Sequence, residues 1–167
     1  GCFPSRYMSM RIAASHINRR DATFCPAIAD LSSRFQIRYD LADTRSSGIG
    51  AASAVLDMLG GGNKSKMKVV LGPNGSGASK ASSQILSVFG IPQISWASTS
   101  ADLSNKVSYP YYFRSVSPDS LVMNVLVGFV RFLGYTMVNL IYFDATFQSG
   151  QATDFRLAVE RSNQLQM

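Results

Sequence analysis

Apolar and polar residues in the middle of the chain follow a strand, helix, strand pattern. An apolar run over residues 69–71 ends in the glycine-rich segment 72–77, a helical spacing of apolar residues follows over 78–89, and a second apolar run covers 93–96. This order predicts a β-α-β unit with parallel strands. Because parallel strands end at the same edge of a sheet, the loops after both strands form the candidate functional region.

Similar patterns flank this unit and predict strands that alternate with helices along the chain. The predicted flanking elements are a helix from about residue 7 to 18, a strand over 35–41, a helix over 49–59, an extended run over 112–116, a strand over 136–143 and a helix over 151–164. Alternation of this kind predicts an α/β fold, with a mostly parallel, doubly wound sheet that has helices on both faces.

One further helix has a clear start signal at Ser117. Serine is a common capping residue, Pro118 suits the first helical position, and Asp119 complements the positive end of the helix dipole. The residues that follow are apolar except for a narrow polar stripe. We therefore expect this helix to be largely buried.

The loop at residues 72–77 has two interpretations. Backbone N–H groups at a helix N-terminus, with the Ser76 hydroxyl beside them, would hold a carboxylate or a phosphate. The loop also approximates the GxxxxGK[ST] motif of nucleotide-hydrolysing proteins. Ala78 stands where that motif needs a lysine and Lys80 comes two positions late, so a nucleotide-binding α/β enzyme is the weaker alternative.

Short motifs spread over the chain occur in an order typical of one known family. They are Leu-Gly-Pro at 71–73, Ile-Pro-Gln-Ile at 91–94, Ala-Ser-Thr-Ser at 97–100, Asp-Leu-Ser at 102–104, Tyr-Phe-Arg at 112–114 and Ser-Pro-Asp at 117–119, with 13–18 and 39–44 fitting the same pattern. In these motifs the chain resembles the ligand-binding region shared by natriuretic-peptide receptors, metabotropic glutamate and other class C G-protein-coupled receptors, and periplasmic amino-acid-binding proteins.

This resemblance implies a bilobed Venus-flytrap fold of the type I periplasmic-binding-protein kind, which closes on a ligand between its lobes. Residues 1–116 would form lobe 1, with its first strand missing or truncated. Residues 117–167 would form the crossover and the beginning of lobe 2. The chain would then be a fragment of that fold.

The resemblance also assigns ligand-binding residues, and together they describe a site for an α-amino acid. Ser76 and Thr99 would hold the α-carboxylate, as hydroxyls beside backbone N–H groups can. The Ala97 carbonyl and Asp119 would pair with the ammonium, and Phe147 would cover it through a cation–π contact. The full predicted set is Ser76, Ala97, Ser98, Thr99, Asp119 and Phe147.

These residues also have interpretations that involve no ligand. They are a helix cap for Ser76, satisfaction of loop backbone for Thr99, complementation of a helix dipole for Asp119 and core packing for Phe147. The glycines that flank Ser76 replace serines of the glutamate receptors, so the match to that ligand is incomplete.

Composition argues against several other function classes. The 16 lysines and arginines exceed the 10 acidic residues and give a net charge of +6, but they are scattered, so nucleic-acid binding has little support. The chain has one histidine, which leaves no histidine-based metal site or catalytic triad. Arg131 lies near the middle of the apolar segment 120–143, so a helix followed by a strand explains that segment better than a membrane span.

The function expected from the residues and the resemblance together is ligand sensing, without catalysis and without a cofactor. The domain would lie on the extracellular side of the cell membrane, bind an amino acid or similar small molecule in its cleft, and signal by lobe closure to a transmembrane module. A second copy is expected to pair with it through lobe 1. The alternative is a periplasmic solute-binding protein that serves a transporter, with the same fold and pocket.

Overall fold

The computed structural model describes residues 4–23, 25–30, 36–63, 67–142 and 146–162. Its helices and strands in chain order are α1 (Pro4–Arg19), α2 (Gly48–Met58), β1 (Val70–Leu71), α3 (Ser76–Val88), β2 (Gln93–Ser95), β3 (Tyr112–Arg114), α4 (Asp119–Phe132) and α5 (Thr146–Ser162). Short 3-10 helices cover Pro26–Ile28 and Ala101–Ser104, and a π-helical turn, Leu59–Asn63, extends α2.

The strands β1, β2 and β3 form one parallel sheet in that order. Val70 pairs with Gln93, and Ile94 pairs with Phe113, so β2 lies in the middle. The predicted β-α-β unit is confirmed, because α3 connects two parallel neighbours. The α/β fold class with a mostly parallel sheet is confirmed with it. The loops that follow β1 and β2 therefore lie side by side at one edge of the sheet.

An apolar cluster fixes α3 relative to the sheet. Val55 of α2, Leu86 of α3 and Ile91 before β2 are buried and pack together. Burial of each such side chain contributes about 1.5–3 kcal/mol to folding. Because α2 and α3 pack against each other, the start of α3 is held at a defined place above the sheet edge.

Local signals determine where the helices begin. Ser47 caps α2 by accepting a hydrogen bond from the N–H three residues later at 3.0 Å. Gly75 is the N-cap of α3. Pro118 is the N-cap of α4, so this helix begins at Asp119, one residue later than the start signal at Ser117 predicted.

Two predicted strands are absent from the described residues. Residues 36–44 are irregular, where alternation predicted a strand over 35–41. The Asn18 side chain donates to the Ile37 carbonyl at 2.8 Å and accepts from its N–H at 2.7 Å, in place of a neighbouring strand. In the segment predicted as a strand over 136–143, Met137 alone makes a β-bridge within residues 136–142. Alternating apolar and polar residues give an extended segment one apolar and one polar face. A β-strand also needs a neighbouring strand that forms hydrogen bonds with its backbone.

The prediction that α4 is largely buried is wrong. Asp119 and Val127 are its buried residues, whereas Val125, Phe129 and Phe132 are 67%, 56% and 85% exposed. The helix packs with one face against an apolar cluster on α5, which cannot cover a helix that is apolar on nearly all sides. None of the described helices, α4 included, is both long and apolar enough to cross a membrane.

Candidate ligand-binding site

A hydrogen bond joins the loops that follow β1 and β2. The Ser100 N–H donates to the Ser76 hydroxyl at 3.2 Å. Ser76 is the first residue of α3 and is buried, with 7% of its surface exposed. Since Gly75 occupies the N-cap position, Ser76 connects the two loops rather than capping its helix. The structure thus brings Ser76 next to the segment that contains Thr99.

Thr99 has a buried hydroxyl without a partner. Its Oγ1 atom is inaccessible to solvent and makes no hydrogen bond to any described residue, although the residue as a whole is half-buried. Leaving a buried hydroxyl unpaired costs about 1–3 kcal/mol. Such groups are rare in folded proteins, and local strain, a functional role or a bound water or ion accounts for them. The alternative interpretation required the Thr99 side chain to form a hydrogen bond with the loop backbone. It forms none with the described residues.

The N-terminus of α3 contributes a positive potential at the same edge. The helix is 13 residues long, and the N–H groups of its first turn have no partner within the helix. A Cβ atom added at Gly75 or Gly77 would meet nothing within 4 Å, so this turn is open. The aligned peptide dipoles favour an anion there.

The nucleotide-binding alternative has no support from the position of its lysine. Lys80 Nζ lies 2.5 Å from Asp102 Oδ2 and forms an ion pair with it. Ala78, at the position where the motif needs a lysine, is buried. The loop therefore offers backbone groups and hydroxyls, without the lysine that would bridge the outer phosphates of a nucleotide.

Ser98 lies behind the loop that follows β1. It is fully buried, and its hydroxyl lies 2.8 Å from the Ser79 hydroxyl. The same hydroxyl lies 3.1 Å from the Asn74 carbonyl oxygen and 3.3 Å from that of Pro73. The side chain predicted to contact a ligand is therefore directed at the rear of the loop. Ala97, next to it, is half-buried.

Sequence reasoning missed the buried polar network around Ser98. Its members are Ser79, Ser82, Gln93, Ser95 and Ser98, each of them buried. The available signal was a face of α3 made of serines that meets polar residues on β2. Apolar residues usually occupy such an interface, and serine and glutamine are mostly exposed in proteins.

Asp119 is buried at the start of α4 and is bonded to Thr99. Its backbone N–H donates to the Thr99 carbonyl at 2.8 Å. Its carboxylate accepts a hydrogen bond from Gln151 Nε2 of α5 at 3.1 Å, and 5% of the residue is exposed. Sequence reasoning missed Gln151, because a glutamine within a helix carries no signal of its own.

Charged side chains of both signs act on Asp154, which lies near Asp119. Burial, and then the carboxylates of Asp119 and Asp102, raise the pKa of Asp154 above its ordinary value. Within the described ranges, no group of three or more histidine, cysteine or acidic side chains is placed to hold a metal ion. The Asp119 and Asp102 carboxylates oppose ionisation of Asp154, whereas Arg161 favours it.

Strand β3 holds the loop after β2 from its other side. The Tyr112 hydroxyl donates to the Ser98 carbonyl at 3.2 Å. Arg114 Nη1 donates to the carbonyls of Ser98 and Ser100 at 3.3 and 2.9 Å. Burial raises the pKa of Tyr112, so its hydroxyl stays a neutral donor at pH 7. These bonds fix both sides of Thr99 without using its side chain.

Phe147 falls in the first turn of α5. Its side chain lies outside the part of the chain that the structure describes. The contact expected between this ring and a ligand ammonium stays a prediction.

Comparison with known proteins agrees with the motif order along the chain. A family model described as the receptor family ligand binding region matches residues 5–166. The chain belongs to this family. It is accordingly a ligand-binding domain and not an enzyme, and the resemblance read from the motifs is confirmed.

Relatives of the chain include proteins named as metabotropic glutamate receptors and one named as receptor-like. The chain is 32% identical over 94 residues to metabotropic glutamate receptor-like protein E of Dictyostelium discoideum, which is 56% of this chain and 11% of the relative. It is 37% identical over 76 residues to metabotropic glutamate receptor 6 of Oryctolagus cuniculus and of Rattus norvegicus, which is 46% of this chain and 9% of each relative. The matched segments thus span about a tenth of the length of these relatives.

Proposed function

We propose that this domain binds an α-amino acid, or a similar small molecule with a carboxylate and an ammonium group, as the ligand-sensing part of a membrane receptor. The buried, unpaired Thr99 hydroxyl at the edge where α3 begins is the observation that carries the proposal. Relatives named as metabotropic glutamate receptor 6 and as metabotropic glutamate receptor-like protein E support an amino-acid ligand.

The carboxylate end of the ligand would lie between the start of α3 and Thr99. The N–H groups of the first helical turn donate to one oxygen, and the Thr99 hydroxyl donates to the other. Ser76 holds the two loops at the required spacing through its bond to Ser100 and presents its hydroxyl at the same place. Hydrogen bonds to a charged group contribute about 1.5–3 kcal/mol each.

The ammonium end would lie toward Asp119. The hydrogen bond from the Asp119 N–H to the Thr99 carbonyl holds this residue next to Thr99. The Ala97 carbonyl accepts a second hydrogen bond from the ammonium, and the Phe147 ring covers it. The two charged groups of an α-amino acid are attached to the same carbon atom. Neighbouring anion-binding and cation-binding residues match that arrangement.

The ligand acts by shifting an equilibrium between open and closed lobes. Residues 1–116 form lobe 1, and residues 117–167 contain the crossover and the start of lobe 2. The whole protein places this domain outside the cell, pairs with a second copy through lobe 1, and passes closure to a transmembrane module.

The test is calorimetry of the full-length protein in detergent against the twenty common L-amino acids. Each ligand that binds is compared with its decarboxylated amine and with its deaminated acid, because both lack one half of the recognised group. Binding by the amino acid, with loss of binding by both analogues, is the expected result.

Variants of the same protein locate the site. Ser76→Ala and Thr99→Ala are expected to weaken binding by about tenfold to a hundredfold, the equivalent of one hydrogen bond to a charged group. Thr99→Ser keeps the hydroxyl and serves as the control, with near-normal binding expected. Wild-type affinity in both alanine variants would contradict the proposed site.

A further inference from the structure

The interface between α3 and β2 is polar where apolar packing is usual. Ser79 and Ser82 on α3, and Gln93, Ser95 and Ser98 on the opposite side, are at most 1% exposed. Burying a hydroxyl or amide costs free energy unless it is hydrogen-bonded. An apolar interface would avoid that cost, so these polar groups need hydrogen-bond partners within the interface.

The bonds of this network converge on two backbone carbonyls of the loop after β1. Pro73 O accepts from the Ser95 hydroxyl at 2.7 Å and lies 3.2 Å from the Ser79 hydroxyl. Asn74 O accepts from the Ser98 hydroxyl at 3.1 Å. Ser79 and Ser98 are themselves 2.8 Å apart.

Each serine hydroxyl has a single proton to donate. The three protons can be assigned so that each of the two carbonyls accepts a hydrogen bond. Ser95 donates to Pro73 O, Ser98 donates to Asn74 O, and Ser79 donates to the Ser98 oxygen. Buried hydrogen bonds arranged in a chain strengthen one another. The two carbonyls are therefore held toward the protein interior.

This arrangement decides which way the next N–H group points. In a planar trans peptide the C=O and N–H bonds point in opposite directions. The peptide between Asn74 and Gly75 is trans, so an inward Asn74 carbonyl directs the Gly75 N–H outward, where both residues are exposed. Gly75 is the N-cap of α3, and its N–H thus joins those of the first helical turn.

A second row of bonds holds the helix that carries the serines. The Ser82 hydroxyl donates to Gln93 Oε1 at 2.9 Å, and Gln93 Nε2 donates to the Ser79 carbonyl at 3.3 Å. Gln93 lies on β2 in the centre of the sheet. Helix α3 therefore cannot move along the strand without breaking buried bonds.

We propose that Ser95 and Ser98 are positioning residues for the anion-binding end of the site. They act through the carbonyls of Pro73 and Asn74, which they turn inward so that the loop presents N–H donors and not carbonyl oxygens to a ligand carboxylate. The inference rests on the proposed function of the same site. It moves the Ser98 side chain from direct ligand contact to support of the loop.

The matched variants are Ser95→Ala, Ser98→Ala and Ser83→Ala. Ser83 is a buried serine of the same helix, 1% exposed, whose hydroxyl has no hydrogen-bond partner among the described residues. Its alanine variant therefore removes a buried hydroxyl without touching the loop carbonyls. The thermal midpoint of each variant tests whether the protein is folded. If Ser98→Ala does not fold, Ser95→Ala alone tests the proposal.

The first measurement needs no ligand. Hydrogen exchange of the full-length protein, followed by mass spectrometry, reports on the Ser79 amide, whose bond to the Gly75 carbonyl is the first of α3 at 2.9 Å. Ser95→Ala and Ser98→Ala are expected to speed this exchange about fivefold to tenfold, as loss of one buried hydrogen bond would. Ser83→Ala is expected to match the wild type.

The second measurement is the affinity ratio between an amino acid that binds and its methyl ester, which lacks the carboxylate charge. A general loss of structure lowers both affinities, whereas misdirected N–H groups lower the affinity of the amino acid alone. The ratio is expected to fall about tenfold in Ser95→Ala and Ser98→Ala and to stay constant in Ser83→Ala.

Unchanged exchange, or faster exchange with an unchanged ratio, would overturn the positioning role. Failure of the proposed function gives a different pattern, in which Ser76→Ala and Thr99→Ala bind like the wild type whatever the exchange rates show.

Discussion

The carbonyl of Thr99 accepts a hydrogen bond from the N–H of Asp119 at 2.8 Å. This bond joins the loop after β2 to the first residue of α4. It places an unpaired hydroxyl and a buried carboxylate on adjacent residues of the folded chain. The proposed carboxylate and ammonium contacts of a ligand are thereby connected through one backbone hydrogen bond.

Thr99→Val is expected to raise stability and to weaken ligand binding. Valine has nearly the same shape, and the variant removes a buried hydroxyl that has no partner in the described structure. Relief of such a group is worth about 1 kcal/mol in the ligand-free protein. Thermal unfolding without ligand and calorimetry with a bound amino acid measure the two effects. Ser83→Ala, which also removes an unpaired hydroxyl, should be stabilised with unchanged affinity.

Gln151→Ala is expected to destabilise the protein by about 1–3 kcal/mol, because it leaves the buried Asp119 carboxylate without its amide donor. Chemical denaturation measures the change. Gln84→Ala removes an exposed glutamine from α3 and should alter stability by less than about 0.5 kcal/mol. Equal effects of the two substitutions would show that the hydrogen bond to Asp119 makes no net contribution to the free energy of unfolding.

Asp154→Asn is expected to raise the thermal midpoint at pH 7 and to have no effect in acid. Burial and the carboxylates of Asp119 and Asp102 raise the pKa of Asp154 above 3.8 in the folded protein. Between the unfolded and folded pKa values the native state binds more protons, so stability falls as the pH rises through that window. Above it, the ionised carboxylate opposes folding, and asparagine removes that opposition.

Thermal midpoints at several pH values between 3 and 8 check this expectation for Asp154→Asn, with Asp57→Asn on the exposed surface of α2 as the control. A gain in Asp154→Asn that persists below the unfolded pKa would assign the effect to packing and not to charge.

Gly72→Ala is expected to destabilise the protein by more than about 1 kcal/mol. Gly72 has φ +96°, which L residues rarely adopt, and a Cβ atom there would lie 3.1 Å from the Trp96 ring. Gly77→Ala is the matched control, since its Cβ meets nothing within 4 Å and alanine favours the helix by about 0.8–1 kcal/mol. Thermal unfolding should show a lower midpoint for Gly72→Ala and a higher midpoint for Gly77→Ala. A change in the same direction for both variants would refute the local explanation.

The central β-α-β unit could be predicted because its signals are local. Apolar runs of strand length, a glycine-rich turn and a helical repeat specify β1, α3 and β2 without reference to the rest of the chain. The flanking segments could not be predicted equally well. Residues 36–41 alternate like a strand, yet the Asn18 side chain occupies the Ile37 backbone groups that a neighbouring strand would use.

The candidate site divides in the same way. Topology alone requires the loops with Ser76 and Thr99 to meet, because parallel strands end at one edge. The inward direction of the Ser98 side chain, and the bond from Gln151 to Asp119, depend on the path of a loop and on the packing of α5. A sequence pattern contains neither.

The amino-acid sequence by itself determined the central β-α-β unit, the family, and the side-by-side position of the loops after β1 and β2. Each of these follows from residues close together in the chain or from the order of motifs. The tertiary structure alone decided that the Ser95 and Ser98 hydroxyls hold the loop, whereas the Thr99 hydroxyl has no partner among the described residues. Hydrogen-bond partners are distant in sequence, so only the folded chain defines them.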